Sequence, residues 1–283
     1  MIENILKFGS YSYKNQDFDN MADVSEFIES QKDLSKFSLT KTTTLSQEKY
    51  FYGVSKFEGL TDRMRYGDEQ ITSKYLDKLE TLNMDYETKE GISFDVEGFA
   101  YDMGAVVSGE PECCLNTGFP DVKPHLNIYI DTGYNGSVSP DTIANRGVAI
   151  LQLINSLLSL GYILDIWMVH FVTTSDGGLY SQRIKLSTEY LTISQLAFSG
   201  TCEFFRVITW LLTAIQKHSY SYTGSGKSMP ARAVIEDMKK QGLFIPSGYT
   251  DERFNSCSQK EAIELVRQIY NDYIKSGANN ESY

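Results

Sequence analysis

The sequence is poor in the residues that most often announce a chemistry. Its three histidines (His125, His170, His218) stand far apart in 283 residues, without the close His/Cys spacing that zinc sites use. Four cysteines (Cys113, Cys114, Cys202, Cys257) are too few for a disulfide framework in a chain this long, and adjacent Cys113 and Cys114 suit neither a zinc knuckle nor a redox pair. No serine sits in a Gly-x-Ser-x-Gly elbow. Basic residues are scattered singly, 26 against 37 acidic, for a net charge of −11. That balance argues against sequence-independent binding of duplex DNA and against an anionic membrane surface, since both need a basic face. Long apolar runs are missing too. The longest, Ile208 to Ile215, is far shorter than a membrane-spanning helix. The opening Met1-Ile-Glu-Asn-Ile lacks the basic and apolar stretches of a secretory signal. A soluble chain in a reducing cytoplasm is expected.

What is present is a folded composition, with 41% hydrophobic residues and a heavy load of 19 Tyr and 15 Phe. Aromatics dominate cores and interfaces alike, so this surplus fits ordinary packing and also a surface for protein contact. The most informative stretch runs from His125 to Glu189. An apolar run (Leu126, Ile128, Ile130) ends on Asp131 and a Gly/Asn/Ser turn. Ser139-Pro140-Asp141 then starts a helix: an N-cap hydroxyl, a proline whose missing N–H costs nothing there, and an acid facing the dipole. Ile143, Gly147, Ile150, Leu151, Ile154, Leu157 and Leu158 keep its stripe to Gly161. Tyr162 to Val172 is apolar apart from Asp165 and His170, as a strand buried on both faces would be. Asp176-Gly-Gly turns the chain, and Tyr180 to Leu186 returns as a hairpin partner. The pattern predicts adjacent parallel strands at Leu126–Ile130 and Ile163–Val172, joined by a right-handed crossover helix, with Tyr180–Leu186 antiparallel to the second.

Three regions are expected in one compact fold. Residues 1–90 read as α-rich, with a helix stopping at Gly67, a natural C′ glycine. Residues 91–217 form the α/β unit, opened by the alternation of Ile92, Phe94 and Val96 and closed by a long helical region from about Ser194 to Gln216. Residues 218–283 read as helices packed on it. One ends at Gly242, and the last starts from a Ser258-x-x-Glu261 capping box.

Candidate sites are few. Asp95, Glu97, Asp102, Glu110 and Glu112 gather five carboxylates, and hard cations prefer such oxygen clusters. A solvated strand face followed by an acidic loop explains the same residues more simply. Thr223-Gly-Ser-Gly-Lys227-Ser228 looks like the end of a phosphate loop, but Ser221 stands where a glycine is needed and a helix precedes it instead of a strand. A plain loop is the better reading. His170, inside an apolar strand, reads as a core histidine, and Cys113 as an ordinary thiol.

The order strand, Asp turn, helix, strand, hairpin strand, helix resembles the opening of the von Willebrand factor A-type fold. The resemblance implies an α/β, Rossmann-type central sheet with helical N- and C-terminal additions. Asp131-Thr-Gly133-Tyr134-Asn135-Gly-Ser137 lies where that family keeps its metal-binding Asp-x-Ser-x-Ser loop, with Gly133 and Asn135 in place of the two serines. No metal and no cofactor is therefore expected, with Asp95, Glu97, Asp102 and Asp131 as the weak candidates. Four short segments (Gly53-Val-Ser-Lys-Phe-Glu-Gly, Asp95-Val-Glu-Gly with Asp102-Met-Gly, Gly109-Glu-Pro-Glu-Cys113, and Asn145-Arg-Gly-Val-Ala-Ile150) resemble a group of bacteriophage proteins without assigned activity. This implies a viral protein in the host cytoplasm or the virion.

The leading expectation is a non-enzymatic protein that binds a host or viral protein through Glu110, Glu112, Asp131, Tyr134 and Asn135. The alternative is an accessory factor of viral DNA or RNA metabolism, stacking single strands on aromatics despite the acidic balance. A metal-dependent enzyme built on Asp131 and the Asp95–Glu112 carboxylates comes third.

Overall fold

The computed structural model describes residues 2–8, 11–30, 59–73, 92–95, 100–101, 114–117, 125–134, 136–159, 162–173, 178–187, 192–215 and 229–276. Nine strands and seven helices longer than five residues organise them, besides a π-helical turn. The strands are β1 (Ile2–Phe8), β2 (Tyr11–Phe18), β3 (Ile92–Asp95), β4 (Ala100–Tyr101), β5 (Cys114–Thr117), β6 (Leu126–Asp131), β7 (Leu164–Thr173), β8 (Leu179–Ser187) and β9 (Leu243–Ile245). The helices are α1 (Met21–Glu29), α2 (Leu60–Tyr66), α3 (Pro140–Ser159), α4 (Ile193–Ser199), α5 (Thr209–Ile215), α6 (Met229–Gln241) and α7 (Gln259–Lys275), with the π turn at Glu203–Ile208.

The main sheet has the order β1-β2-β8-β7-β6-β9 and is mixed. β6 pairs parallel to β7, with Leu126 opposite Leu164 and Asp131 opposite Val169. β8 runs antiparallel to β7. β9 lies parallel on the other side of β6. The expected adjacency of the two central runs, with their crossover helix and hairpin partner, is present. α3 starts as its sequence requires: Ser139 Oγ accepts from the Thr142 N–H at 3.2 Å, and Pro140 is the first helical residue. A second, three-stranded sheet has the order β3-β5-β4.

Strand alternation divides the core into two layers. Ile128, Ile130, Ile166 and Met168 face a helical layer containing α1, α3, α7 and the π turn. Tyr129, Val169, Phe171 and Phe244 face α6, which contributes Val234, Ile235 and Met238. β7 is thus sandwiched between helices, which is why its run is apolar almost throughout.

Three expectations need correction. The N-terminal region is not simply α-rich, because β1 and β2 extend the sheet past β8. β2 escaped notice because it buries polar groups. Asn15 and Gln16 are fully buried, where Ser181 Oγ donates to Asn15 Oδ1 at 2.6 Å and the Tyr180 hydroxyl donates to Gln16 Oε1 at 2.7 Å. A satisfied polar ladder shows no hydrophobic period. The C-terminal addition likewise contributes β9, three residues between Gly242 and Pro246 and too short to alternate visibly. The region 194–216 is not one helix. α4 ends at Gly200, and the π turn follows before α5.

Candidate functional site

Strand order reverses between β6 and β9. The chain steps from β6 through β7 to β8 and later returns to place β9 on the opposite flank of β6. The crevice beyond the carboxyl ends of two such strands is where open α/β sheets place their binding groups. Asp131 is the last residue of β6, and Ser247 to Asp251 follow β9.

Asp131 is turned inward and 1% exposed. Its Oδ1 accepts from the Gly133 N–H at 3.0 Å. Its Oδ2 accepts from Ser247 Oγ at 2.6 Å and Thr250 Oγ1 at 3.1 Å. Burial pushes its carboxyl above the ordinary aspartate range, opposed by these three hydrogen bonds and by the Arg146 charge. Arg146, on α3, is fully buried. Its Nη2 donates to the Asp131 carbonyl at 2.9 Å and to the Ile245 carbonyl at 3.1 Å, so one guanidinium ties the ends of β6 and β9 together. The rings of Tyr134, Phe205 and Phe254 surround it at 5.6, 5.5 and 5.4 Å. Such cation–π contacts recover part of the lost hydration of a buried cation. Phe205 reaches this position from the π turn, whose Arg206 donates to the Val138 carbonyl at 2.6 Å and supports the loop after β6. Gly248 belongs to the same cluster, since a Cβ there would lie 2.1 Å from Asn255 Oδ1.

Of the residues singled out in the sequence, Asp131 is at the strand end as expected. Tyr134 is corrected: it is 8% exposed and packed on Phe205, where the binding reading needs an exposed side chain. Asn135, Glu97, Asp102, Glu110, Glu112 and the Thr223–Ser228 segment lie outside the described residues, as does the Asp95 side chain. Among the described residues, no group of three or more His, Cys, Asp or Glu gathers as metal ligands do. His170 contacts Thr132 Oγ1 through Nδ1 at 3.2 Å, and burial lowers its pKa to about 4. The sequence reading missed Arg146, Ser247, Thr250 and Asn255. Arg146 had a signal: it lies three residues after Ile143 and four before Ile150, a charge inside the apolar stripe of α3.

Beyond Thr250 the surface opens into a concavity of about 840 Å³ along the other side of β9. Ile235 and Lys239 of α6, Phe244 of β9, and Ile269, Asp272 and Tyr273 of α7 line it, with Tyr249 and Asp251 at one end. Among the described strands, β9 has a neighbour on one side only. Tyr273 also stands beside Tyr162. Next to these two tyrosines in sequence are Ile274 and Ile163, two of the four exposed large hydrophobic residues described. On the opposite face of the sheet, Trp167 has Arg183 and Lys185 over its ring at 5.3 and 5.5 Å. Those cations are paired with Asp17 and Asp165 at 2.6 and 2.7 Å.

The chain belongs to the family described as "Domain of unknown function (DUF7192)", whose model matches residues 9–273. No curated protein and no solved structure matches it. No helix among the described residues is long and apolar enough to cross a membrane.

Proposed function

We propose that this chain is a non-catalytic α/β protein of A-type descent that works by binding another protein, held in the groove between α6, β9 and α7. The groove is the observation that carries this reading. It combines a strand edge with no neighbour among the described strands, the partly exposed Ile269 and Tyr273 over the buried Ile235 and Phe244, and a polar rim, the composition of a peptide-receiving surface. The A-type analogy draws support from the order β8-β7-β6-β9 and from Asp131 ending the first strand of the unit.

The residues at Asp131 do not fit the divalent ion that an A-type fold implies. The carboxylate already takes three hydrogen bonds from the chain, and the Arg146 cation shares its buried surroundings. A second cation there meets like-charge repulsion from Arg146, and the carboxylate oxygens are already spent on hydrogen bonds. In this reading the cluster is a clamp that sets the shape of the loops, and the groove does the binding. With the resemblance to bacteriophage proteins, the proposal is that the partner belongs to an infected host or to the virion.

The test is co-purification of tagged protein from phage-infected cells, comparing the native chain with Ile269→Arg and Tyr273→Glu. A stoichiometric protein partner should be lost from both variants while their melting temperatures stay near native. A partner retained by both refutes the groove. Filter binding of an oligonucleotide at low salt decides against the single-strand alternative; micromolar or tighter binding, weakening steeply with salt, would favour it instead.

A further inference from the structure

The groove beside β9 has two walls of different chemistry, and a strand laid in it meets both. The side chains of β9 alternate: Phe244 packs into the layer under α6, while Leu243 and Ile245 pack into the layer that contains α7. A segment running along that edge has the same period of two, so its successive residues face α6 and α7 in turn. On the α7 side it meets the partly exposed Ile269 and Tyr273, with Asp272 beside them. On the α6 side it meets the exposed Arg232, Glu236 and Lys239.

The ion pairs decide which of these charges are open to a partner. Lys239 and Glu236 hold each other at 2.7 Å, and Asp251 at the end of the groove is held by Arg253 at 2.6 Å. Arg232 and Asp272 make no ion pair with any described residue, although the Asp272 charge is felt by Arg253. A cation is thus left open on the α6 wall and an anion on the α7 wall. We propose, resting on the groove reading above, that the occupant is an extended segment of the partner protein that adds a strand to β9. Its aliphatic side chains and one basic residue face α7, and an acidic residue faces Arg232. Because the walls lie on opposite sides of the added strand, the acid and the base stand an odd number of positions apart. The aliphatic residues recur at every second position, whereas a docked helix spaces them by three and four. The net charge of −11 does not set this preference, since charges farther away than about 8 Å are largely screened and the wall charges are in contact.

The test selects random displayed peptides of about ten residues, the length of a long strand, on the immobilised full chain. Only those that Ile269→Arg fails to hold are kept. The sequences kept should carry aliphatic residues at alternate positions, with an acid and a base at odd spacing. For a synthetic consensus peptide, Arg232→Glu should raise Kd about three-fold, as loss of an exposed ion pair does, and replacing the peptide's acid by lysine should restore it. Methylating every second peptide amide should weaken binding sharply in one phase and spare it in the other, because only alternate amides face β9. Helical spacing, no charge preference, indifference to Arg232→Glu, or the same response to both methylated forms overturns the inference. So does the failure of any peptide to be selected. The groove itself survives that last result if the co-purified partner is still lost from Ile269→Arg and Tyr273→Glu, and falls with it if the partner is retained.

Discussion

The two sides of β9 make opposite use of the same three-residue strand. Toward β6, the carbonyl of Ile245 is claimed by a buried arginine, and the loop that follows closes over Asp131 with two hydroxyls. Away from β6, the strand borders an open groove whose walls come from helices before and after it. Polar groups satisfied inside a fold stabilise it and are not available to a ligand. Unpaired backbone beside apolar side chains is available, which is why exposed edges become docking sites or liabilities. Under the proposed reading, an aspartate at a strand end is therefore a poorer guide to the binding surface than the plain strand edge.

The largest test of this contrast is Arg146→Ala. It removes both strand-end ties and three ring contacts and leaves a buried carboxyl without its cation, so the unfolding free energy measured by denaturant titration should fall by about 3–5 kcal/mol. Arg146→Lys should recover little, because an ammonium lacks the planar fork that reaches both carbonyls and stacks on the rings. A loss below about 1 kcal/mol would mean the clamp is incidental. Asp131→Ala comes next, at about 1–3 kcal/mol, from stranding the Gly133, Ser247 and Thr250 donors. Asp131→Asn should cost less, since it keeps an acceptor oxygen and removes the burden of a buried charge.

Acid sensitivity is a smaller effect on the same molecule. His170 is held neutral by burial, its pKa lowered to about 4 against an ordinary value near 6.5. The unfolded chain takes up its proton first as pH falls. The stability His170 contributes is thus present above pH 6.5 and lost progressively toward pH 4. Asp131 and Glu203 act oppositely: burial raises both, so their contribution is present at low pH and lost as pH rises through their folded values. Subtracting the pH–stability curve of His170→Phe from the native one isolates the histidine. A flat difference between pH 6.5 and 4 would contradict this assignment. Smaller still is the effect of groove variants on folding. Ile269→Arg and Tyr273→Glu change partly exposed side chains and should shift stability by only about 0.5 kcal/mol.

Much of the central unit was legible because it obeys local rules. The Ser139-Pro140 start, the apolar run of β7 and the Ser258–Glu261 capping box each carry their own signal, and the last forms with both hydrogen bonds. The flanking strands were not legible, for two separate reasons. β2 replaces hydrophobic alternation with the buried Asn15, Gln16, Ser181 and Gln182 ladder, and β9 is too short to show a period. The candidate site was half legible. Asp131 announced itself through its turn, but its partners Ser247 and Thr250 lie more than a hundred residues away and follow a strand that the pattern did not show. Tyr134 misled because a tyrosine in a Gly-rich turn reads as exposed, whereas here it is one of three rings around a buried cation.

The most direct test of the closed centre is a thermal-shift titration of the full chain with magnesium, manganese and calcium, run beside Asp131→Ala. If Arg146 already supplies the positive charge and the carboxylate is spent within the chain, none of the three ions should raise the melting temperature of the native protein. A rise of several degrees that disappears in Asp131→Ala would contradict the account, and would favour the end of β6 over the proposed groove beside β9.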